Sequence, residues 1–474
     1  MIKVVKTKKR FLLRFLAISF LTLRACVVYA HDVYGVIANF SMNTDSSKMS
    51  LVECMEYAVA HSSNMKISNA DLSDAVVERR NAILSTFTPS ISASIYGYYN
   101  WGRSVDPETN TYSNIKSFHN GYSISAGINL FDGFQAVNNI SIAKTSVLMG
   151  INRQQQTEDE VCLATMEAWS NVMYYNQLSR ILLDQVVVAE TALAKTKKEE
   201  ELGRKSYADV VQMEAELSDK KFQSLQATGK AEDALLTLKS VMLWPIDEPL
   251  LLDEEEPSRL LSQDIQLDLS GNDIVEYAVE HNPQVAIAEG YIKIAKKNLS
   301  IARWSLAPSI ILSGGWSTSY FTYPGRSGYS PAPFREQFKN NRGEYLQLSI
   351  SIPIYNRLQS QSSIKKRKHS LEKAVAERDQ KMMELAAEVK RAVQDRNNSL
   401  SSMNLAVKRA QVQQEAFRLN VKKFEQGMIS SLEYQTAINN NLQAQADKLQ
   451  AQLLFMIKDK VLKYYMGQSY LSQK

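Results

Sequence analysis

The sequence predicts a mostly α-helical chain carrying part of a small membrane β-barrel, built from a duplicated helix, strand, loop, strand, long helix and return helix unit with four strands per chain. Three observations predict it. Tyr122, Ile124, Ala126, Ile128 and Leu130 alternate strictly with Ser123, Ser125, Gly127 and Asn129, a two-residue period that gives a strand one apolar and one wet face. After Phe131-Asp132-Gly133 the period changes, and roughly seventy residues follow without proline and with Gly150 as their only glycine. At ~1.5 Å per residue that is a helix on the order of 100 Å long. The pattern then recurs about 220 residues later, far beyond a solenoid period, so two copies of one unit are present.

Composition narrows the class. Only 18 glycines and 11 prolines punctuate 474 residues, which suits long uninterrupted helices. Lys plus Arg number 55 against 50 Asp plus Glu, with part of the excess in the first ten residues; nucleic acid, which needs a concentrated basic face, is not an expected partner. Residues 1–30 read as a signal peptide. Lys3, Lys6, Lys8, Lys9 and Arg10 precede an apolar run from Phe11 to Leu23, and Val28-Tyr29-Ala30 offers a small-residue cleavage site. Arg14 and Arg24 interrupt that run. Lipidation at Cys26 is the competing reading of Leu23-Arg24-Ala25-Cys26, and arginine at its second position argues against it. Cys54 and Cys162 remain after cleavage and read as core residues. No further stretch approaches the ~20 apolar residues of a membrane helix, so strands must make any membrane contact.

In chain order, 31–49 is a flexible leader and 50–243 the first repeat. A helical pattern runs from Leu51 to His61, pauses at Ser62-Ser63-Asn64, and resumes to Phe87 before Pro89. Strands are expected at about 90–101 and 121–131, with 102–120 as a loop marked by Asp106-Pro107 and Asn110. The long helix spans about 133–202 and its return helix about 207–243, stopped by Pro245. Residues 244–270 form a linker whose acids Asp253, Glu254, Glu255 and Glu256 suit a solvated connector rather than a cation site.

The second repeat, 271–467, restates the first. Ala278 to Pro283 matches Ala58 to Ser63, Pro308-Ser309-Ile310 matches Pro89-Ser90-Ile91, Ile354-Tyr355-Asn356 matches Leu130-Phe131-Asp132, and Gly427 matches Gly203. Strands are expected at about 309–320 and 344–354 around an exposed loop at 321–343, a long helix at about 356–424 and a return helix at about 431–467. Leu442, Ala446, Leu449, Leu453 and Met456 follow the 4-3-4-3 spacing of a coiled-coil seam. Residues 468–474 are a tail.

Strands of about ten residues cross a bilayer with tilt. Four cannot close a barrel and a membrane permits no open edge, so several copies must share one, and three would give twelve strands. Tyr98, Tyr99, Trp101, Tyr320, Phe321 and Tyr345 gather at the loop ends as an interfacial girdle would. Taken alone, the strands also fit a soluble sheet with one wet face; the export signal and the rods decide against it.

This arrangement resembles the outer membrane efflux protein family, the TolC-type channel-tunnels, over nearly the whole mature chain. The resemblance rests on the paired helix starts, the Pro-Ser-Ile strand starts, the strand exits, and the helix turns from Leu202-Gly203 to Asp209-Val210 and from Gln426-Gly427 to Leu432-Glu433. It implies a homotrimer with a twelve-stranded barrel in outer membrane lipid above a periplasmic α-helical tunnel. It further implies a passive exit duct for efflux or type I secretion in a Gram-negative bacterium, served by a periplasmic adaptor protein and an inner-membrane pump of RND or ABC type. The alternative function is a non-conducting structural coiled-coil protein of the envelope.

No catalytic constellation, cofactor or metal site is expected. His31, His61, His119, His281 and His369 include no pair at ligand spacing on one helix, and His61 and His281 suit helix ends. The resemblance points instead to the helix turns as gate and adaptor contact: Gly203, Arg204, Lys205, Asp209, Phe424, Gly427, Glu433 and Thr436. Glycine tolerates the positive φ of a sharp turn. Asp209 and Glu433 either ring the pore with negative charge or serve the first turns of their helices. The family motif often has a further acid where Gln212 and Thr436 stand, which leaves a double ring open. Arg204, Lys205, Lys422 and Lys423 either pair with these acids across helices or solvate the tip; the run Lys365 to Lys368 falls about two turns below a strand exit.

Overall fold

The structure, a computed structural model, describes residues 48–105, 110–261, 271–326 and 329–471, and all but Lys48 of these belong to the unit Met49–Lys474. The expected signal peptide, Cys26 and nearly all of the leader lie outside the described residues. The chain runs α1 (Leu51–His61), α2 (Ser63–Phe87), β1 (Ser90–Val105), β2 (Tyr112–Asp132), α3 (Gln135–Glu201), α4 (Tyr207–Met242) and α5 (Glu256–Leu261). It continues through α6 (Gly271–His281), α7 (Pro283–Trp304), β3 (Ser309–Thr322), α8 (Phe334–Asn340), β4 (Gly343–Ser351), α9 (Gln359–Glu425) and α10 (Ser431–Tyr465). It is a mostly helical chain with one small antiparallel sheet.

The sheet has the order β1-β2-β3-β4. Register places Ile91, Ala93 and Ile95 beside Ala126, Ile124 and Tyr122, and these beside Gly314, Trp316 and Thr318 on one face. Leu346, Leu348 and Ile350 complete that face. The other face is mainly serine and glycine, with Ser92 and Ser125 hydroxyls 3.0 Å apart. Phe334 and Phe338 of α8 pack on Tyr122, Trp316 and Tyr320 at the outer part of the apolar face; nearer the helices it lies open, with Ile91 and Leu346 72% and 80% exposed.

Four sequence expectations change here. The hairpin continues past the expected 102–120 loop, pairing Trp101 with Lys116 and Val105 with Tyr112; its polar residues erase the alternation while the backbone ladder persists. β4 ends at Ser351 rather than 354, because Pro353 lacks a ladder donor. The 321–343 loop contains α8, whose buried Gln337 side chain bonds Phe321 N and O at 3.1 and 3.0 Å. It thereby covers the β3 edge beyond Ser317, where β4 no longer reaches. The girdle also divides: Tyr99, Trp101 and Tyr320 share the apolar face, whereas Tyr98, Phe321 and Tyr345 stand on the polar one, as a period of two requires.

Each hairpin feeds a helix through a tight left-handed turn. Gly133 and Phe134 have φ of 66° and 61°, and Arg357 and Leu358 repeat the turn at 56° and 63°. A Cβ at Gly133 would sit 2.5 Å from the Trp304 carbonyl oxygen. Below the sheet α2, α3, α7 and α9 lie side by side, and farther down α3 pairs with α4 and α9 with α10. Close approach has a local cause: a Cβ on Gly290 of α7 would meet Met149 of α3.

The largest core lies around the middle of the rods. Leu51, Cys54, Met55, Cys162, Trp169, Leu238 and Met456 bury together, with Tyr470 from the tail packed among them. Cys54 and Cys162 are free and buried, and burial pushes both thiols up to about 12, so neither is a nucleophile at neutral pH. The acidic linker is not simply solvated. Glu256 is buried and accepts the Leu51 N–H at 2.7 Å, satisfying an orphan donor at the start of α1. Asp253 pairs with Arg259, and Glu254 lies 2.6 Å from Arg180. His61 and His281 close their helices alike, each Nδ1 at 2.9 and 3.0 Å from the carbonyl four residues back and each ring stacked on Tyr57 or Tyr277.

Candidate functional site at the helix tips

The two far ends of the rods use one local design. α3 ends with Gly203 at φ 71°, its N–H bonded to Glu200 O and that of Arg204 to Glu199 O, both at 2.8 Å. α9 ends with Gly427 at φ 70°, bonded to Phe424 O at 3.0 Å, while Met428 bonds Lys423 O at 2.8 Å. Both are Schellman closures, which satisfy terminal carbonyls and demand a left-handed residue. Nothing stands within 4 Å of a Cβ at either glycine, so conformation alone selects them.

The returning helices open with capping boxes. Ser206 Oγ accepts from Asp209 N at 3.2 Å while Asp209 Oδ2 accepts from Ser206 N at 3.1 Å. Ser430 and Glu433 repeat this at 3.2 and 2.9 Å. The hydrogen bonds to Ser206 hold the Asp209 carboxyl below its ordinary value, and those to Ser430 do the same for Glu433. Both carboxylates therefore serve the first turns of their helices. The Ser-x-x-acid signature was legible in the sequence, although the serines were not singled out.

Contacts also bridge the two hairpins. Ser431 Oγ donates to Asp209 Oδ1 at 2.9 Å. Higher up, Gln212 reaches Gln435 at 3.4 Å, Gln435 donates to Glu216, and Lys220 donates to Asn439 at 2.6 Å. Lys220 Nζ lies 3.3 Å from Glu216 Oε1, and both side chains are buried. A small apolar cluster of Met213, Phe424, Tyr434 and Ile438 seals the end, with Phe424 and Tyr434 stacked at 4.3 Å and Lys205 Nζ 4.9 Å above the Phe424 ring.

Of the expected residues, the structure thus brings together Gly203, Lys205, Asp209, Phe424, Gly427 and Glu433 in the two turns and their seam. Arg204 and Thr436 point outward; the Thr436 hydroxyl only bonds Leu432 O at 2.9 Å. None of Arg204, Lys205, Lys422 and Lys423 forms an ion pair with Asp209 or Glu433 among the described residues. The buried ladder of Glu216, Lys220, Gln435 and Asn439 was not foreseen, since long-range pairing of polar residues leaves no periodic trace. The described residues hold no cluster suited to a metal ion and no helix long and apolar enough to cross a membrane.

A family model described as outer membrane efflux protein matches residues 60–242 and 274–468. Among solved structures, the chain is similar to CusC, described in connection with transmembrane channel formation, at a TM-score of 0.73 and 15% identity over 88% of this chain and 92% of that one. It is also similar to the outer membrane channel CmeC of Campylobacter jejuni (TM-score 0.71, 15% identity, 90% and 87% covered). A third similar structure is the outer membrane protein VceC of Vibrio cholerae (TM-score 0.70, 13% identity, 89% and 96% covered). Comparison with curated protein sequences finds no match.

Proposed function

We propose, from the premise that the chain belongs to the outer membrane efflux protein family, that three copies form one passive exit duct. Membership makes it an outer-membrane transport protein rather than an enzyme. The observation that carries the duct is the sheet. It has a largely exposed apolar face, a serine face, and two outer edges, on β1 and β4, with no partner strand among the described residues. Lipid requires every edge to be paired, so neighbouring copies must supply the missing partners, and three copies give twelve strands around a wet lumen.

The element order of helices, two strands, long helix and return helix occurs twice, which supports a duplicated unit. Both hairpins then join their helices on one side of the membrane, and 67-residue rods continue the lumen roughly 100 Å into the periplasm. There the tips meet a periplasmic adaptor, and through it an inner-membrane pump of RND or ABC type supplies the energy for efflux or type I secretion. The tips are the gate: capped turns keep each hairpin intact, while the polar ladder between hairpins can part without exposing a large apolar core.

Single-channel conductance in planar bilayers tests this reading. The purified protein is expected to give discrete cation-selective steps, and Asp209→Asn with Glu433→Gln, which retains hydrogen-bonding capacity but removes charge, is expected to lower that selectivity. Folded, inserted protein that stays silent even after the tip ladder is weakened would sink the duct and favour a non-conducting coiled-coil scaffold.

A further inference from the structure

The parity of the strands separates the aromatic residues of the sheet by task. Tyr99, Trp101 and Tyr320 lie on the apolar face and suit a lipid interface. Tyr96, Tyr98, His119, Phe321 and Tyr345 lie on the opposite face and cannot serve lipid there. Between Ser90 and Asn100, Ser117 and Asn129, Ser309 and Phe321, and Gly343 and Ser351, that face is otherwise serine, glycine, Asn, Gln and one isoleucine, Ile311, without Lys, Arg, Asp or Glu.

Four of these rings, those of Tyr96, Tyr98, His119 and Phe321, form a row. Tyr98, His119 and Phe321 are direct register partners on three adjacent strands. The Tyr98 and His119 rings stack 5.0 Å apart at 10°, His119 and Phe321 lie 6.2 Å apart at 26°, and Tyr96 extends the row 6.2 Å from Tyr98 at 13°. His119 Nε2 lies 3.1 Å from Ser117 Oγ, which fixes the imidazole in the row. Tyr96 is laid over Gly121, its cross-strand partner, where a Cβ would collide with the ring, and Tyr345 lies over Gly315 in the same way. Tyr96 and Tyr98 stay 54% and 51% exposed.

We propose that this row is a binding site for planar aromatic compounds at the outer part of the lumen. The inference rests on the duct reading, which makes the serine face the wall of the lumen. The row begins about six residues, or roughly 20 Å, above the helical end of the sheet. Exposed rings on an otherwise polar, uncharged wall attract by stacking and dispersion. A cation gains further from the ring faces. Such contacts are individually weak, so a passing solute is held briefly and released, and each copy repeats the row around the barrel.

Ethidium, a planar aromatic cation, and tetrabutylammonium, a non-aromatic one, serve as probes. Their binding to the detergent-solubilised full chain and their block of single-channel current from the outer side are measured for wild type and for Tyr98→Ser with Phe321→Ser. A companion variant, Tyr98→Phe with Phe321→Tyr, keeps both rings. Ethidium is expected to bind and block, the serine variant to weaken this roughly tenfold, the ring-keeping variant to restore it, and tetrabutylammonium, which is attracted to ring faces but cannot stack, to lose less than ethidium does in the serine variant. Should the serine pair fail to assemble, Tyr98→Ser alone, at a half-exposed ring, carries the same comparison with a change of about threefold. Protein that conducts without ring-dependent block overturns the site and leaves the duct standing. Protein that binds ethidium through these rings but never conducts overturns the duct, and with it the assignment of the row to a lumen.

Discussion

At the residue scale, the two copies of the strand-to-helix turn offer an internal comparison. Gly133 occupies a left-handed position in the first copy and Arg357 the equivalent position, at φ 56°, in the second. An L side chain pays about 1 kcal/mol or more for that conformation, so Arg357→Gly is expected to stabilise the fold by up to about 1 kcal/mol and so raise the unfolding midpoint. Gly133→Ala is expected to lower it by more, because the added Cβ also meets the Trp304 carbonyl. Thermal unfolding of the solubilised protein checks both signs. The capping carboxylates give a pH prediction. Asp209 and Glu433 have lowered values in the folded state, so their contribution is complete above the ordinary carboxylate range and is lost as the pH falls through those lowered values. Amide-exchange protection factors at 202–209 and 426–433 should fall on acidification, and Ser206→Ala and Ser430→Ala should each lower them already at neutral pH, by about 1 kcal/mol of opening free energy.

At the scale of elements, the return helices α4 and α10 meet near the tips through the polar ladder beside the small cluster of Met213, Tyr434 and Ile438. Lys220 and Glu216 are buried there, and a buried charge that loses its partner is far costlier than a pair removed together. Lys220→Met is therefore expected to destabilise by about 3–5 kcal/mol, while Glu216→Leu with Lys220→Met recovers much of that loss; a double-mutant cycle on chemical unfolding measures the coupling. The elements themselves were largely legible. The unbroken stretches gave rods at Gln135–Glu201 and Gln359–Glu425, because nothing in them competes with a helix. What escaped had short or non-local causes. Seven residues of α8 are too few to display a period, the outer part of the first hairpin mixes polar and apolar residues on each face, and Glu256 finds its partner 205 residues away. At the tips the turns could be read from Gly203 and Gly427, but not the ladder between the hairpins.

At the scale of the whole molecule, the open sheet needs closure. A soluble sheet hides its apolar face against a second layer, yet Ile91, Ile95, Leu346, Leu348 and Ile350 remain open while the opposite face is mostly serine and glycine. A bilayer supplies the missing layer, and it forbids the free edges of β1 and β4. On the proposed barrel, a single copy leaves both edges open in lipid. Two copies would close eight strands, enough only for side chains to fill the interior, while three close twelve and leave a wet lumen. In the proposed trimer the helices follow the same count, since each copy brings α2, α3, α7 and α9 side by side beneath its strands. Native mass spectrometry of the detergent-solubilised protein is expected to give three copies. Truncating β4 should abolish the assembly while leaving the mid-rod core of Trp169, Leu238 and Met456 folded, read by helical content in far-ultraviolet circular dichroism. A stable single copy that inserts into vesicles with β1 and β4 unpaired would contradict the barrel outright, because no other arrangement satisfies those backbone groups in hydrocarbon.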